Sequence, residues 1–524
     1  MITETRTKNS LRNILFAFIY YIIQLTLTLL VRVFFVRTFV VEYLGVNTLF
    51  ANIISILSVV ESGFGSAMIF ALYEPVANND EEKVRQLIML YKKCYSIIGV
   101  IIFLIGVCLI PFLPYLIKNF EAIDLNLYLV FGIFLVTSLL SYFTAHRRSL
   151  FYATQRNDIE NKINIVGYFV TAAVQLIAIF VFKNYYVYAL AGLINTIVVN
   201  TLIIFITNKK YRNYLQSPQS SLDKTSKKTI KKNIFALFYH KIGGIVLTGT
   251  DSIVMSTFIG ITILGKYSNY LLITTYLTNI LMMFVNSMKG SVGNSISTES
   301  VEQNIKTFKK LNFAYIFITS FCVICFISLA NPFVKIFFGS NLTLSFATTI
   351  VIGINLYLYH IRQVVYIFKD CKGLFAENKF APLIEALINL IVSLILVHYL
   401  GIIGVILGTI ISNILVPLWN EPYILTKYYM KKSTIKYLGR ILLYTTSTLI
   451  SGVVTVFVCS FIPDGSIWYL ILKFVVCGVV AGVSLIVTML PFKEFKECVS
   501  WGKSIFSNFR RKDKKNSNIE INNK

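Results

Sequence analysis

Long apolar runs, separated by short basic segments, recur along the whole chain and constrain its fold more than any other feature. A helix needs about 20 apolar residues to cross the hydrocarbon core of a bilayer. Runs of this order lie at 14–36, 44–73, 94–117, 125–145, 163–182, 185–206, 234–258, 267–288, 311–333, 343–368, 381–399, 401–425, 440–462 and 467–490. The second run is longer than one span requires, and we expect it to bend at Gly63 or Gly65.

The composition excludes several classes of protein. The 524 residues are 56% hydrophobic and 14% charged, whereas an ordinary soluble domain has about 25% charged residues. A soluble enzyme, a disordered chain and a secreted disulfide scaffold are therefore excluded. The net charge of +25 does not indicate nucleic-acid binding, which needs a basic face on a soluble module. The sequence predicts an all-α integral membrane protein with about 14 transmembrane helices.

Lysine and arginine alternate between crowded and sparse loops. If the N-terminus lies in the cytoplasm, five of the 49 basic residues fall in outer loops and four inside spans, which leaves 40 on the cytoplasmic side. Cytoplasmic loops carry the excess of Lys and Arg in membrane proteins. We therefore expect an even number of spans and two cytoplasmic termini.

The two halves of the chain resemble each other at an offset of about 220 residues. Leu44-Gly45 aligns with Leu264-Gly265, and Glu82 with Glu302. Six spans per copy start from the same side of the membrane, so the repeat predicts two lobes related by a pseudo-two-fold axis along the membrane normal. The predicted organisation is a first lobe at 1–207, a basic cytoplasmic linker at 208–232, a second lobe at 233–432, two additional spans at 433–490 and a basic cytoplasmic tail at 491–524.

Five segments carry a resemblance to a known family. They are Tyr43–Phe50, Glu61–Ala67, Leu72–Lys83, Leu383–Leu390 and Trp419–Tyr423. Over roughly 10–490 the chain resembles the Wzx-type lipid-linked oligosaccharide flippases of the multidrug/oligosaccharidyl-lipid/polysaccharide exporter superfamily. The resemblance implies two six-helix bundles around a central cavity, and two further helices that can form a lipid groove.

The resemblance also implies a function. Such flippases move an undecaprenyl-diphosphate-linked oligosaccharide from the inner to the outer leaflet of the bacterial plasma membrane. The product is a capsule, an exopolysaccharide or a teichoic-type polymer, and the expected partners are a polysaccharide polymerase and glycosyltransferases. The peptidoglycan lipid-precursor flippase and the ion-coupled multidrug antiporter are the alternatives within this superfamily.

Cations inside predicted spans are candidates for binding the substrate, because a charge at mid-bilayer is costly and usually faces a cavity or another charge. Arg32, Lys241 and Arg362 are predicted to make a cationic cavity for the lipid diphosphate, since guanidinium groups bind such oxygens in pairs. The alternatives are snorkelling towards the interface and, for Lys241 and Arg362, an ion-pair cluster that holds spans together.

Three carboxylates inside spans are candidates for coupling or gating. Glu61 either carries a coupling proton or Na⁺, or makes a structural hydrogen bond. Asp251 lies near the repeat-equivalent depth of Arg32, which predicts an Arg32–Asp251 contact that helps to close the outer side. Glu385 lies about two turns from the cytoplasmic end of its span, as do Lys241 and Arg362. We expect these three residues to line one basic inner vestibule that captures the lipid diphosphate.

The sequence predicts a transporter and not an enzyme. It contains no Walker A pattern for ATP hydrolysis, no paired-carboxylate site and no large outer loop. We expect no cofactor and no metal site, and we expect movement to be driven by an H⁺ or Na⁺ gradient or by removal of the product.

Overall fold

The computed structural model describes residues 6–61, 64–224, 226–228, 230, 234, 249–374, 376–378 and 380–502. Within these residues the protein is helical, and no strand occurs in them. The helices of the first half are α1 (Arg6–Thr38), α2 (Val41–Leu57), α3 (Phe64–Ala77), α4 (Glu81–Leu109), α5 (Leu113–Leu116), α6 (Leu127–Tyr142), α7 (Ala145–Ala153), α8 (Asn157–Ile177) and α9 (Tyr185–Lys210). Those of the second half are α10 (Ile261–Thr298), α11 (Val301–Phe337), α12 (Phe346–Ile361), α13 (Gln363–Lys372), α14 (Ala381–Leu400), α15 (Ile402–Leu415), α16 (Pro417–Ile424), α17 (Thr434–Ser460) and α18 (Ile467–Met489).

Many of these helices can cross a bilayer. By length and composition, 11 helical segments of the described chain qualify, and 12 if the bent pair α6 and α7 counts as one span. The all-α membrane fold is therefore confirmed. The number 14 stays a prediction, because most of the predicted seventh run, 234–258, lies outside the described residues.

The long second run is divided, as its length suggested. Helix α2 ends at Leu57, a 3₁₀ turn covers Ser58–Glu61, and α3 begins at Phe64. Gly63, one of the two predicted bend sites, lies outside the described residues.

Polar residues mark where several of these apolar helices begin. The Asp80 side chain accepts a hydrogen bond from the Lys83 backbone N–H at the start of α4. Asn126 does the same for α6, and Ser345 for α12. Each cap satisfies an N–H group that the first helical turn leaves without a partner. The capping residue therefore determines where the helix begins.

The chain divides into two compact units. The first comprises Met1–Asn269, Phe337–Leu342 and Pro382–Gly408, and the second comprises Tyr270–Ile336, Thr343–Ala381 and Thr409–Lys524. The first unit has an aromatic and aliphatic core around α3, α4 and α7, with Met68 and Leu150 fully buried. The second has a core in which Tyr315, Phe368 and Leu425 are fully buried.

The two aligned Leu-Gly motifs contact each other's repeat in the first unit. A Cβ atom at Gly45 would overlap with the carbonyl oxygen of Ile261, and one at Gly265 would overlap with that of Val41. Positions 41 and 261 are themselves 220 residues apart, so the contact is reciprocal, as at a two-fold axis. Between them the Thr262 hydroxyl donates to the Glu42 carboxylate at 2.8 Å. Glycine is required at both positions because the two backbones approach so closely.

Candidate functional site

A cluster of charged side chains lies inside the second unit. Arg362 occupies the junction between α12 and α13, and Lys369 follows two turns later on α13. The Arg362 guanidinium lies 3.8 Å and the Lys369 ammonium 3.7 Å from the same carboxylate oxygen of Glu421, on α16. The Lys369 side chain is 0% exposed, that of Glu421 6% and that of Arg362 13%. Two cations therefore share one carboxylate in a nearly dry environment.

The cluster has unused hydrogen-bonding capacity. The ammonium of Lys369, the second carboxylate oxygen of Glu421 and one oxygen of half-buried Asp370 make no hydrogen bond with any described residue. Buried polar atoms usually have a protein or water partner. Donors and acceptors without such partners at one place suit a polar ligand, because the ammonium can donate to phosphate and the carboxylates can accept from hydroxyl groups.

Aromatic rings border the two cations. The Lys369 ammonium lies 4.5 Å from the centre of the Tyr366 ring, and the Arg362 guanidinium lies 5.6 Å from the centre of the Tyr359 ring. Such cation–π contacts partly offset the loss of hydration. Beside them, buried His360 contacts the Tyr315 hydroxyl through Nδ1 at 2.7 Å and Thr278 through Nε2 at 3.3 Å.

Arg32 is half-buried in the first unit, on α1. Its guanidinium donates to the Ser268 hydroxyl at 3.1 Å and to the Asn269 amide oxygen at 3.4 Å. Both partners lie in the first turns of α10 and are neutral. Arg32 is thus hydrogen-bonded to side chains of α10 inside the apolar run.

Asp251 and Glu385 also belong to the first unit. One oxygen of half-buried Asp251 accepts from the Asn389 amide at 3.4 Å. Glu385 is 6% exposed and lies one helical turn before Asn389 on α14. The grouping of Glu385 with Arg362 in one vestibule and the Arg32–Asp251 contact both stay predictions. Lys241, the third predicted cation, lies outside the described residues.

Glu61 sits at the 3₁₀ turn between α2 and α3, among tyrosines. The Tyr95 hydroxyl donates to its carboxylate at 2.8 Å, and the Tyr142 hydroxyl donates to Ser58 at 3.0 Å. Tyr91 packs beside this group in a tilted arrangement, with its ring centre 4.6 Å from that of Tyr95. The carboxylate thus lies at the break of a span, in a polar and aromatic pocket of side chains.

Sequence reasoning missed Lys369 and Glu421. The apolar run predicted at 343–368 ends one residue before Lys369, which was therefore assigned to the cytoplasmic side. Glu421 enters the sequence analysis only through the Trp419–Tyr423 motif. A carboxylate inside the predicted span 401–425 could have indicated a buried partner for a cation. No group of three or more His, Cys, Asp or Glu side chains that could hold a metal ion occurs in the described part of the chain.

Comparisons with known proteins add a family and a fold. The family model described as "Polysaccharide biosynthesis protein" matches residues 10–288, more than half of the chain. No curated protein matches the chain.

Solved structures share the fold. An inward-facing multidrug resistance MATE family transporter of the MOP superfamily is 16% identical, with a TM-score of 0.64, over 79% of this chain and 99% of that one. The lipid II flippase MurJ in an inward closed conformation is 15% identical, with a TM-score of 0.63, over 91% and 99% of the two chains. An outward-facing MATE family transporter is 15% identical, with a TM-score of 0.53, over 82% and 98%. At these identities the likeness shows a common fold.

Proposed function

The chain belongs to the polysaccharide biosynthesis protein family, and from that premise we propose that it moves a polyprenyl-diphosphate-linked oligosaccharide across the bacterial plasma membrane by alternating access. The family match and the MOP-superfamily fold confirm the resemblance drawn from the motifs. The protein is accordingly a multi-pass membrane protein of polysaccharide biosynthesis. The direction, from inner to outer leaflet with both termini in the cytoplasm, belongs to the proposal.

The observation that carries the proposal is the cluster around Glu421. A lipid-linked oligosaccharide presents a diphosphate and many hydroxyl groups, and neither can enter hydrocarbon without replacement of its hydration. Lys369 and Glu421 offer a donor and an acceptor that make no hydrogen bond with the described residues. Arg362 is the most exposed of the three, and its planar group suits phosphate oxygens. We assign Arg362 to the first contact with the diphosphate.

Arg32 is assigned to the same substrate in the first unit. It is a half-buried guanidinium inside an apolar run, and this planar group can donate to two phosphate oxygens at once. Glu61, held by Tyr95, is assigned to ion coupling with H⁺ or Na⁺. Asp251 and Glu385 are assigned to gating. A polymerase and glycosyltransferases remain the expected partners, and transport rather than catalysis is the assigned activity.

The test is transport by the purified protein in vesicles. A fluorescent polyprenyl-diphosphate oligosaccharide is added, and its outer-leaflet fraction is followed by chemical quenching. R362A and R32A should each slow transport about ten- to a hundred-fold, since a hydrogen bond to a charged group contributes about 1.5–3 kcal/mol. K335A, which removes an exposed cation in the last turn of α11, is the matched control and should transport normally.

The same vesicles separate the alternatives. Transport of a peptidoglycan lipid precursor but not of the oligosaccharide lipid would assign the protein to precursor export. Uptake of a cationic drug that depends on an ion gradient would assign it to multidrug export. Normal transport of the oligosaccharide lipid by both R362A and R32A would remove these arginines from the mechanism.

A further inference from the structure

A basic pocket with a volume of about 380 Å³ opens at one end of the second unit. It lies between the first turns of α11, the first turns of α17 and the connection 431–433 that precedes α17. Both helices are long and apolar enough to cross a membrane. The pocket therefore lies where two spans begin, at the level at which lipid headgroups meet the hydrocarbon. It shares no residue with the Glu421 cluster.

The mouth of the pocket carries an excess of positive charge. Lys309, Lys431, Lys432 and Lys436 line it and are exposed. None of the four forms a salt bridge with a described carboxylate. Glu494, the carboxylate among the lining residues, pairs with Arg440 instead. Four ammonium groups are thus left to attract an anion.

The inner part of the pocket is apolar. Phe308 and Tyr444 are 4% and 2% exposed and line it together with Met430 and Ile441. Lysine side chains can cover such a surface with their methylene groups while their ammonium groups stay in water. The pocket is therefore amphipathic, with a cationic mouth over an aromatic and aliphatic floor.

A buried polar side chain in this floor has an acceptor without a hydrogen bond from the described part of the chain. Asn312 is 4% exposed and lines the pocket, and its amide oxygen accepts no hydrogen bond from the described residues. A buried acceptor of this kind usually has a partner. A ligand hydroxyl next to the phosphate would supply it.

We propose that this pocket binds the phosphate headgroup of an anionic lipid, with the lysines on the phosphate, Asn312 on a hydroxyl of the headgroup and the first chain carbons on Phe308 and Tyr444. Basic pockets at the ends of spans attract anionic headgroups. A soluble anion such as free phosphate would use the lysines and leave the apolar floor exposed to water. The phosphate has two sources, a membrane phospholipid or the polyprenyl diphosphate of the substrate.

The experiment uses the full chain in detergent micelles and native mass spectrometry with three probes. Dioctanoyl phosphatidylglycerol has an anionic headgroup with a phosphate and a glycerol. Dioctanoyl phosphatidylcholine has a zwitterionic headgroup, in which the choline ammonium balances the phosphate charge. Geranylgeranyl diphosphate carries the substrate's anionic group without sugar. The triple variant K431Q/K432Q/K436Q should weaken binding of the anionic probes about a hundred-fold, at about five-fold for each lysine.

A matched triple variant separates a site from diffuse attraction. K224Q/K227Q/K228Q removes the same charge from exposed lysines of the linker and should leave binding within about two-fold. Preference for phosphatidylglycerol assigns the pocket to a membrane phospholipid, and preference for the diphosphate assigns it to the substrate. Equal affinity for the two supports a general phosphate site.

Three results would overturn the proposal. They are equal losses in the two triple variants, binding of phosphatidylcholine as tight as that of phosphatidylglycerol, and no binding of either anionic probe. The measurement involves no transport, so a failure of the flippase proposal and a failure of this one are distinguishable.

Discussion

Removal of the Glu421 charge should destabilise the second unit strongly. In E421Q the side chain keeps its size, but Arg362 and Lys369 lose the carboxylate that lies 3.8 Å and 3.7 Å from them. Each contact is worth about 4 kcal/mol of Coulomb energy at an effective dielectric constant of about 20. Loss of one partner from a buried ion pair typically costs about 3–5 kcal/mol, and Lys369 has no exposed surface through which water could compensate.

A double-mutant cycle isolates this interaction. K369M removes the buried cation and keeps the Arg362–Glu421 pair, so its cost should be smaller than that of E421Q. The double variant K369M/E421Q leaves only Arg362, which is partly exposed, and should recover about 1–3 kcal/mol relative to E421Q. The coupling free energy between the two residues is this gain plus the cost of K369M alone.

The assay is thermal unfolding of the purified protein in one detergent at one scan rate. A loss of about 3–5 kcal/mol corresponds to about 6–20 °C in a unit of this size. A shift below about 2 °C for E421Q, or a double variant no more stable than E421Q, would refute the view that Glu421 neutralises Lys369 in the interior.

Three other expectations are tested with the same purified protein. G45A and G265A should destabilise it by similar amounts, about 1–3 kcal/mol, because each Cβ would overlap with a carbonyl of the other repeat; unequal melting temperatures would contradict the reciprocal contact. G408A should be destabilising because its Cβ would overlap with Ser393, whereas G478A, which meets no heavy atom within 4 Å, should be neutral or stabilising by up to about 1 kcal/mol. E61Q should abolish the dependence of transport on the H⁺ or Na⁺ gradient at normal protein abundance; an unchanged dependence would remove Glu61 from coupling.

The membrane fold could be predicted because the bilayer imposes a strong local rule. A spanning helix must satisfy its backbone internally and present apolar side chains for its whole length, so each span is visible in about 20 consecutive residues. The division of the second run at Ser58–Glu61 was also foreseeable, since its length exceeds one span. A bend at Gly63 stays a prediction, because Gly63 lies outside the described residues. The 3₁₀ turn itself depends on tertiary contacts such as the hydrogen bond from Tyr95 to Glu61, which the hydropathy pattern does not contain.

The partners of the buried charges could not be predicted, because they are determined by contacts between residues that are distant in the sequence. Hydropathy indicates that Arg362 is inside the membrane, but its contact with Glu421 joins positions 59 residues apart, and only tertiary packing decides it. Lys369 was assigned to the cytoplasm because the apolar run stops before it. In the structure α13 continues to Lys372, and the neighbouring carboxylates allow the lysine to be buried.

The reciprocal glycine contact links the sequence repeat to a physical axis. A residue that lies at a two-fold axis contacts the equivalent residue of the other repeat. Glu42 and Thr262 are equivalent positions, 220 residues apart, and they form such a contact. Two glutamates there would repel each other, whereas a threonine opposite a glutamate converts the position into a donor and an acceptor. The glycines on either side could stay identical, because close backbone approach requires the same residue on both sides. The residues that face each other at the axis, Glu42 and Thr262, thus differ between the two predicted repeats, whereas the neighbouring glycines are identical. Both features favour close packing of one repeat against the other.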